Sequence, residues 1–289
     1  VDVSNKPVTH CRGVSSWIDA SAPAGSLCRH RIFAPTLDAR IIALDGVTGV
    51  RCPNFGDAGQ IDLRAGMGKL GDRDYAITSP PAIIGDTLVT GAFVIDAWDT
   101  DVPAGVVRAF DVRSGELRWA WNPVAPGRDP TDETGSYVRG TTNVWSVISV
   151  DEKFNHVYVP TGNSSPDYYG GQREGHLDHF SSSIVALDAD NGAVVWHVPT
   201  VHHDIWDFDV PAQPTLVDLT IDSESIPALV QVTKMGLTWV LDRRTGESLF
   251  GIDEQLVPQQ GAVAGEYLSP TQPFPRKPEP LHPLRFRPE

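Results

Sequence analysis

The chain is 289 residues long, with 37 acidic against 23 basic residues and a formal net charge of −14. That balance disfavours nucleic acid and anionic membrane surfaces as partners. Its 26 glycines and 24 prolines argue against long helices, while 40% apolar residues are enough for a buried core.

The chain begins in mid-pattern at Val1-Asp2-Val3, with no signal peptide, and stops at Phe286-Arg287-Pro288-Glu289. It therefore reads as an internal piece of a longer protein: one partial domain over residues 1–289, truncated at both ends. No run of eighteen apolar residues occurs, so this piece is not expected to span a membrane. Cys11, Cys28 and Cys52 form no Cys-x-x-Cys, which argues against structural zinc. One disulfide plus one thiol would suit an oxidising compartment, although an odd count leaves this open. No Cys-x-x-Cys-His is present to attach a haem.

Four segments share one design. Ile41-Ile42-Ala43-Leu44-Asp45 runs to Gly49, Val107-Arg108-Ala109-Phe110-Asp111 to Gly115, Ile184-Val185-Ala186-Leu187-Asp188 to Gly192, and Trp239-Val240-Leu241-Asp242 to Gly246. Each is a short apolar strand, then Asp, two variable residues, Thr, Ser or Asn, and Gly. The Asp can accept backbone N–H groups just ahead and the Gly can supply positive φ, so each predicts a strand entering a tight turn. Trp119 and Trp196 follow two of these glycines by four residues, as inward-facing residues of the next strand would. The glycines are 66, 77 and 54 residues apart, longer than the roughly 40–50 of simple propeller repeats. Long loops must lie between the strands. Two hairpins are predicted between the turns: Pro81–Ile84 with Thr87–Thr90, and Val144–Val150 with His156–Val159. The class is all-β and the architecture a propeller; two stacked β-sandwiches are the competitor.

The densest chemistry lies at His202-His203-Asp204-Ile205-Trp206-Asp207-Phe208-Asp209, just before Pro211-Ala212-Gln213-Pro214. Three carboxylates and two imidazoles in eight residues are costly to gather unless a cation or a reaction uses them. The prolines can enter a strand only at its start or edge. The cluster is thus placed on a loop at a strand entrance.

The turns with trailing tryptophans resemble the blades of the pyrroloquinoline quinone (PQQ) dehydrogenases. Cys11-Arg12-Gly13-Val14, Thr200-Val201-His202-His203-Asp204 with Trp206-Asp207, Pro211–Thr215 and Thr271-Gln272-Pro273-Phe274 sharpen the resemblance to the membrane-bound glucose and quinate dehydrogenase branch. The resemblance implies an eight-bladed propeller, of which this chain covers about half the blades, with PQQ and Ca2+ or Mg2+ on the axis. It implies oxidation of a sugar or polyol hydroxyl, foremost glucose to gluconolactone, with quinate, shikimate or another polyol as the alternative. Electrons would pass to ubiquinone at the periplasmic face of the bacterial inner membrane, the anchor lying in a missing N-terminal part.

Residue by residue, Asp207 matches the catalytic carboxylate. Oxidising an alcohol independently needs a base for the hydroxyl proton. Lys234, in an apolar stretch read as strand, matches the cation that bonds the reactive quinone carbonyl; without the resemblance it reads as a snorkelling edge lysine. Trp145 matches the tryptophan under the planar cofactor, a role that suits a large aromatic face. Asn163, in Thr161-Gly162-Asn163, and Asp96 match metal ligands, hard oxygen donors suited to Ca2+ or Mg2+. Ala97 stands where an Asn is expected, so the other ligands stay open. His10 stands where a histidine lies near the quinone, or is a surface loop residue. Asp204 and Asp209 read as supporting groups, and His202 and His203 as contacting substrate or orienting Asp207. A non-catalytic propeller scaffold would need the four turns, but not Asp207, Lys234, Asn163 and Trp145 together.

Overall fold

The computed structural model describes residues 9–97 and 99–282; the two chain ends on which the reading of truncation rests lie outside them. Four antiparallel sheets succeed one another along the chain. The first contains β1 (Ser15–Ile18), β2 (His30–Pro35), β3 (Arg40–Asp45) and β4 (Gln60–Asp62) in that order. A short ribbon pairs β5 (Tyr75–Ala76) with β8 (Phe93–Val94). The second sheet is β6 (Ala82–Ile84), β7 (Thr87–Thr90), β9 (Val107–Asp111) and β10 (Leu117–Trp121). The third is β11 (Ser149–Asp151), β12 (His156–Pro160), β13 (Ser183–Asp188) and β14 (Val194–Pro199). The fourth has β15 (Thr215–Ile221), β16 (Glu224–Val232) and β17 (Thr238–Asp242), and a final ribbon pairs β18 (Ile252–Leu256) with β19 (Thr271–Pro275). The first strands β1, β6 and β11 pack side by side. Among the described residues this is an arc of four propeller blades. Among the described residues the one helical element is a 3-10 turn at Gly175–Phe180, and no helix is long and apolar enough to cross a membrane.

The core is three layers between blades rather than one centre. In β13, Val185 and Leu187 join the layer shared with the second blade, while Ile184 and Ala186 join that shared with the fourth. In the second blade Leu88 and Phe110 face the first blade, Val89 and Ala109 the third. A period of two therefore places one apolar residue on each neighbour, and the inner blades read as continuous hydrophobic runs. β2 and β3 instead alternate buried with half-buried positions, because only one face of the first blade is covered.

All four Asp turns form. Asp45 accepts the amides of Val47 and Thr48, Asp111 those of Arg113 and Ser114, Asp188 those of Asp190 and Asn191, and Asp242 that of Arg244. The tryptophans explain why Gly192 and Gly246 cannot be replaced. Both have φ above +70°, and a Cβ there would lie 2.5 Å from Trp119 and 2.7 Å from Trp196 respectively. Each indole N–H also donates across the blade boundary, Trp119 to Ala189 O (2.8 Å) and Trp196 to Arg243 O (3.3 Å).

Two expectations are corrected. Residues 144–148 are not strand; β11 starts at Ser149. The hydroxyls of Thr78 and Ser79 both donate to the Trp145 carbonyl, and the Ser146 hydroxyl donates to Pro211 O. Hydroxyls of the preceding blade thus take up the Trp145 carbonyl, and this segment's own Ser146 reaches a carbonyl of the following one, in place of a ladder. Lys234 likewise lies beyond β16, in a turn closed by Gly236 N–H to Thr233 O.

Cys28 and Cys52 form a disulfide across 24 residues of sequence and Cys11 is free. Closing a loop of that size is worth about 3 kcal/mol. Replacing Cys28 and Cys52 by serine should lower the unfolding free energy by about that amount in urea titrations. An unchanged midpoint would show that the first blade does not need the link.

Candidate active site

Two kinds of loop meet at one end of the propeller. One kind precedes a first strand: Arg12 before β1, Thr78 before β6, Trp145 before β11, and Asp207 and Asp209 before β15. The other joins second and third strands: Asp96 between β7 and β9, Asp167 between β12 and β13, Lys234 between β16 and β17. Together with His10 and Phe93 these residues line a cavity of about 250 Å³. His10, Asp96, Trp145, Asp207 and Lys234, up to 224 residues apart in the sequence, are therefore brought together.

Lys234 is the hub. Its Nζ donates to the Asp207 carbonyl (2.8 Å), to Asp207 Oδ1 (2.9 Å) and to Asp209 Oδ2 (3.2 Å). Burial alone would lower its pKa, but these carboxylates outweigh that and raise it, so it is a fixed cation. Asp209 Oδ2 also accepts the Trp145 indole N–H at 2.9 Å, which sets the tilt of the indole ring. The guanidinium of Arg12 lies over the same ring, 4.8 Å from its centroid, a cation–π geometry.

Asp207 adopts φ of +56°, held by its neighbour Asp204. That residue is buried, and its carboxylate accepts the amides of Trp206 (2.9 Å) and Phe208 (2.8 Å) and the Ser182 hydroxyl (2.6 Å). It shapes the loop. Neither His202 nor His203 lines this cavity, so neither is placed to touch a substrate there. His202 pairs with Glu254 (2.9 Å), and His203 with Asp178 and Glu266, all away from the cavity.

The acidic wall carries excess negative charge. Burial pushes Asp96 up to about 7 despite the hydrogen bond from Asn143, with the charge of Asp207 adding to the shift. Asp209 rises to about 7 through burial, Lys234 opposing and Asp207 and Asp96 reinforcing the shift. Asp167 rises to about 8 through burial and then through Asp96, Asp207 and Asp209. Buried carboxylates in such proximity call for a cation. The donor chemistry agrees: Asp167 Oδ1 and Asn143 Oδ1 are buried without a hydrogen-bond partner, while Asn143 Nδ2 donates to Asp96 Oδ2 at 2.6 Å. These oxygens suit Ca2+ or Mg2+.

Asn163 stands elsewhere. Its amide oxygen accepts Ser164 N–H (2.7 Å) and the Ser181 hydroxyl (2.9 Å), and its own N–H donates to Asp209 Oδ1 (2.7 Å). It buttresses Asp209 from behind, so the acidic wall itself consists of Asp96, Asp167, Asp207 and Asp209. Arg12, Asn143 and Asp167 were not singled out from sequence. Arg12 stood within the quoted Cys11–Val14 motif; Asp167, after a proline in a loop, carries no signal of its own.

The family described as "PQQ: Glucose/ethanol/alcohol dehydrogenase, beta-propeller domain" matches residues 2–287. The chain is similar to the glycerol dehydrogenase large subunit of Gluconobacter thailandicus, 40% identical over 267 residues that span 91% of this chain and 36% of that protein. It is similar to the quinoprotein glucose dehydrogenase of Escherichia coli (strain K12), 41% identical over 271 residues, 91% of this chain and 34% of the other. Among solved structures, a quinohemoprotein alcohol dehydrogenase from Pseudomonas putida superposes with a TM-score of 0.65 at 27% identity, over 86% of this chain and 35% of that one. The chain thus spans about a third of the length of these relatives.

Proposed function

Because the chain belongs to the PQQ glucose/ethanol/alcohol dehydrogenase β-propeller family, we propose that it is the site-bearing part of a quinoprotein that oxidises a CH–OH group. The observation that carries this is the placement of Asp207 on Lys234 at a cavity bounded by Trp145 and an acidic wall. When bound, PQQ supplies the electrophilic quinone carbon that accepts hydride.

The residues present fit such a group. The Trp145 face offers a flat tricyclic ring a stacking partner, worth about 0.5–1.5 kcal/mol beyond area burial. Lys234 and Arg12 offer cations to an anionic quinone. Asp96, Asp167 and Asp209 would hold Ca2+ or Mg2+. Asp207 takes the hydroxyl proton, at its oxygen not engaged by Lys234, as hydride leaves the substrate carbon. Lys234 is aimed to stabilise negative charge that develops on a neighbouring oxygen.

The foremost substrate in this reading is glucose, with quinate, shikimate or another polyol as the alternative. Relatives named for glycerol and for glucose are equally similar, so identity does not rank these donors. Ubiquinone is the proposed acceptor and the periplasmic face of the inner membrane the proposed location; the Cys28–Cys52 link suits an oxidising compartment. We read residues 1–289 as one partial propeller domain. The half-exposed face of the first blade is the surface on which a further blade would pack.

Chelation tests the acidic wall. Treating the full-length, PQQ-loaded protein with EDTA should reduce dye-linked oxidation of glucose to background, and adding Ca2+ or Mg2+ should restore it. A rate unchanged by complete metal removal would take the cation out of this reading.

A further inference from the structure

The segment carrying Asp207 is fastened from behind by charges the reaction does not use. His203 is their centre. Its backbone is in the left-handed region, φ +45°, and its ring is buried against Tyr267, 3.9 Å between centroids and stacked. Nδ1 lies 2.7 Å from Asp178 Oδ2 and Nε2 lies 2.9 Å from Glu266 Oε1. A neutral imidazole has one N–H and could satisfy one of these carboxylates; the imidazolium satisfies both. Asp178 also accepts Arg173 Nη1 at 2.9 Å, and the buried Arg173 side chain bonds the Asp204 carbonyl. Glu266 in turn accepts the Gly170 amide.

This group ties together three parts of the chain. Asp178 is on the 3-10 turn, His203 is on the segment of Asp207, and Glu266 and Tyr267 are on residues 257–270, which join β18 to β19. That connection, through Val257, Pro258 and Leu268, forms one wall of a second, largely apolar cavity of about 380 Å³. Trp206, Phe208 and Met235, the chain neighbours of Asp207 and Lys234, line it too. Asp207 and Lys234 themselves, between and beside them, line the first.

We propose that His203 is a positioning residue: as an imidazolium it clasps the 257–270 connection to the segment bearing Asp207, and so fixes where that carboxylate stands. The inference rests on the reading of Asp207 as the base. The clasp depends on one proton. Asp178 and Arg173 face His203 from the 3-10 side, Glu266 and Tyr267 from the connection, and Asp204 lies on its own segment. His176, His179, His197 and His202 line the adjoining cavity. Burial lowers His179 and His197, so both are neutral there, and His202 pairs with Glu254. For His203, burial is outweighed by the bonds to Asp178 and Glu266, which raise it above the ordinary histidine value. With the folded value raised, the clasp holds below that value and is lost as pH rises through it.

The test uses the full-length, PQQ- and metal-loaded dehydrogenase. Its kcat should fall on an alkaline limb that tracks a single ionisation. His203→Gln should remove that limb and lower kcat at neutral pH by roughly tenfold, the scale of a small displacement of a catalytic group. Glu266→Gln, which keeps the histidine, should move the limb to lower pH by about one unit. Amide exchange of residues 257–270, measured by mass spectrometry at fixed pH, should be faster in both variants. A constant loss of kcat at every pH, with the limb unmoved and exchange unaltered, would overturn the proposal. The two readings separate cleanly: an active Asp207→Asn enzyme would refute the base, while exchange in 257–270 still reports the clasp.

Discussion

Asp207→Asn should lower kcat by at least about 10²–10⁴-fold, the usual worth of a positioned general base, while PQQ stays bound. The structure makes this a clean substitution. The two side chains have nearly the same shape, and the amide oxygen can still accept from Lys234 Nζ, which lies 2.9 Å from Asp207 Oδ1. Asparagine also tolerates the left-handed backbone, φ +56°, better than most residues. What it cannot do is take the substrate's proton at neutral pH. The measurement is kcat at matched cofactor loading, read from the quinone absorption. Asp204→Asn provides the contrast. That carboxylate accepts two amides and a hydroxyl with both oxygens, and an amide offers only one oxygen. Its loss should appear first in stability. If Asp207→Asn turned over normally and Asp204→Asn did not, the base would have been assigned three residues too late. If both turned over normally, a non-catalytic propeller would be the better reading.

The fold was legible because its signals are local. An Asp that caps its own turn and a Gly at positive φ lie within five residues of each other, and all four such turns formed. The inter-blade tryptophans were legible for the same reason, though not their seats. That Trp119 rests on Gly192 and Trp196 on Gly246 depends on the angle between blades, which no window of sequence contains. Residues 144–150 show the limit from the other side. Their β-branched composition reads as a strand, but hydroxyls from Thr78 and Ser79 take the Trp145 carbonyl, and a carbonyl so taken does not enter a ladder.

The site was legible only where a motif or family resemblance marked it. Asp207, Lys234, Trp145, Asp96 and His10 reach one cavity because the loops entering first strands and those joining second to third strands meet at one end. Asp167 reaches the same cavity with no motif, and its signal appears only in three dimensions, as a buried oxygen lacking a partner. Asn163 shows the converse. Its motif points to a ligand, yet Ser164 and Ser181 already occupy its amide oxygen. The oxygen that is left over belongs to Asn143, 20 residues earlier.

Lys234→Ala should be the second severe loss, about 10²–10³-fold in kcat, the scale of removing one preorganised donor from developing negative charge. The structure adds a reason beyond the transition state. Lys234 Nζ is shared by the Asp207 carbonyl, Asp207 Oδ1 and Asp209 Oδ2, while Asp96 and Asp167 complete the acidic wall. Without the ammonium, Asp209, already raised to about 7 by burial, should rise further, because Lys234 is the charge that opposes the shift. The acid limb of activity should then move to higher pH. Lys234→Arg separates the two effects. It restores the positive charge, and with it the ionisation of Asp209, but places a planar fork where a compact ammonium stood. Arginine should therefore recover the position of the acid limb and little of the rate. The measurements are kcat against pH for both variants at matched PQQ and metal loading. Equal rates in wild type and Lys234→Ala would reduce the lysine to a counterion. Full recovery by arginine would show that its charge matters and its geometry does not.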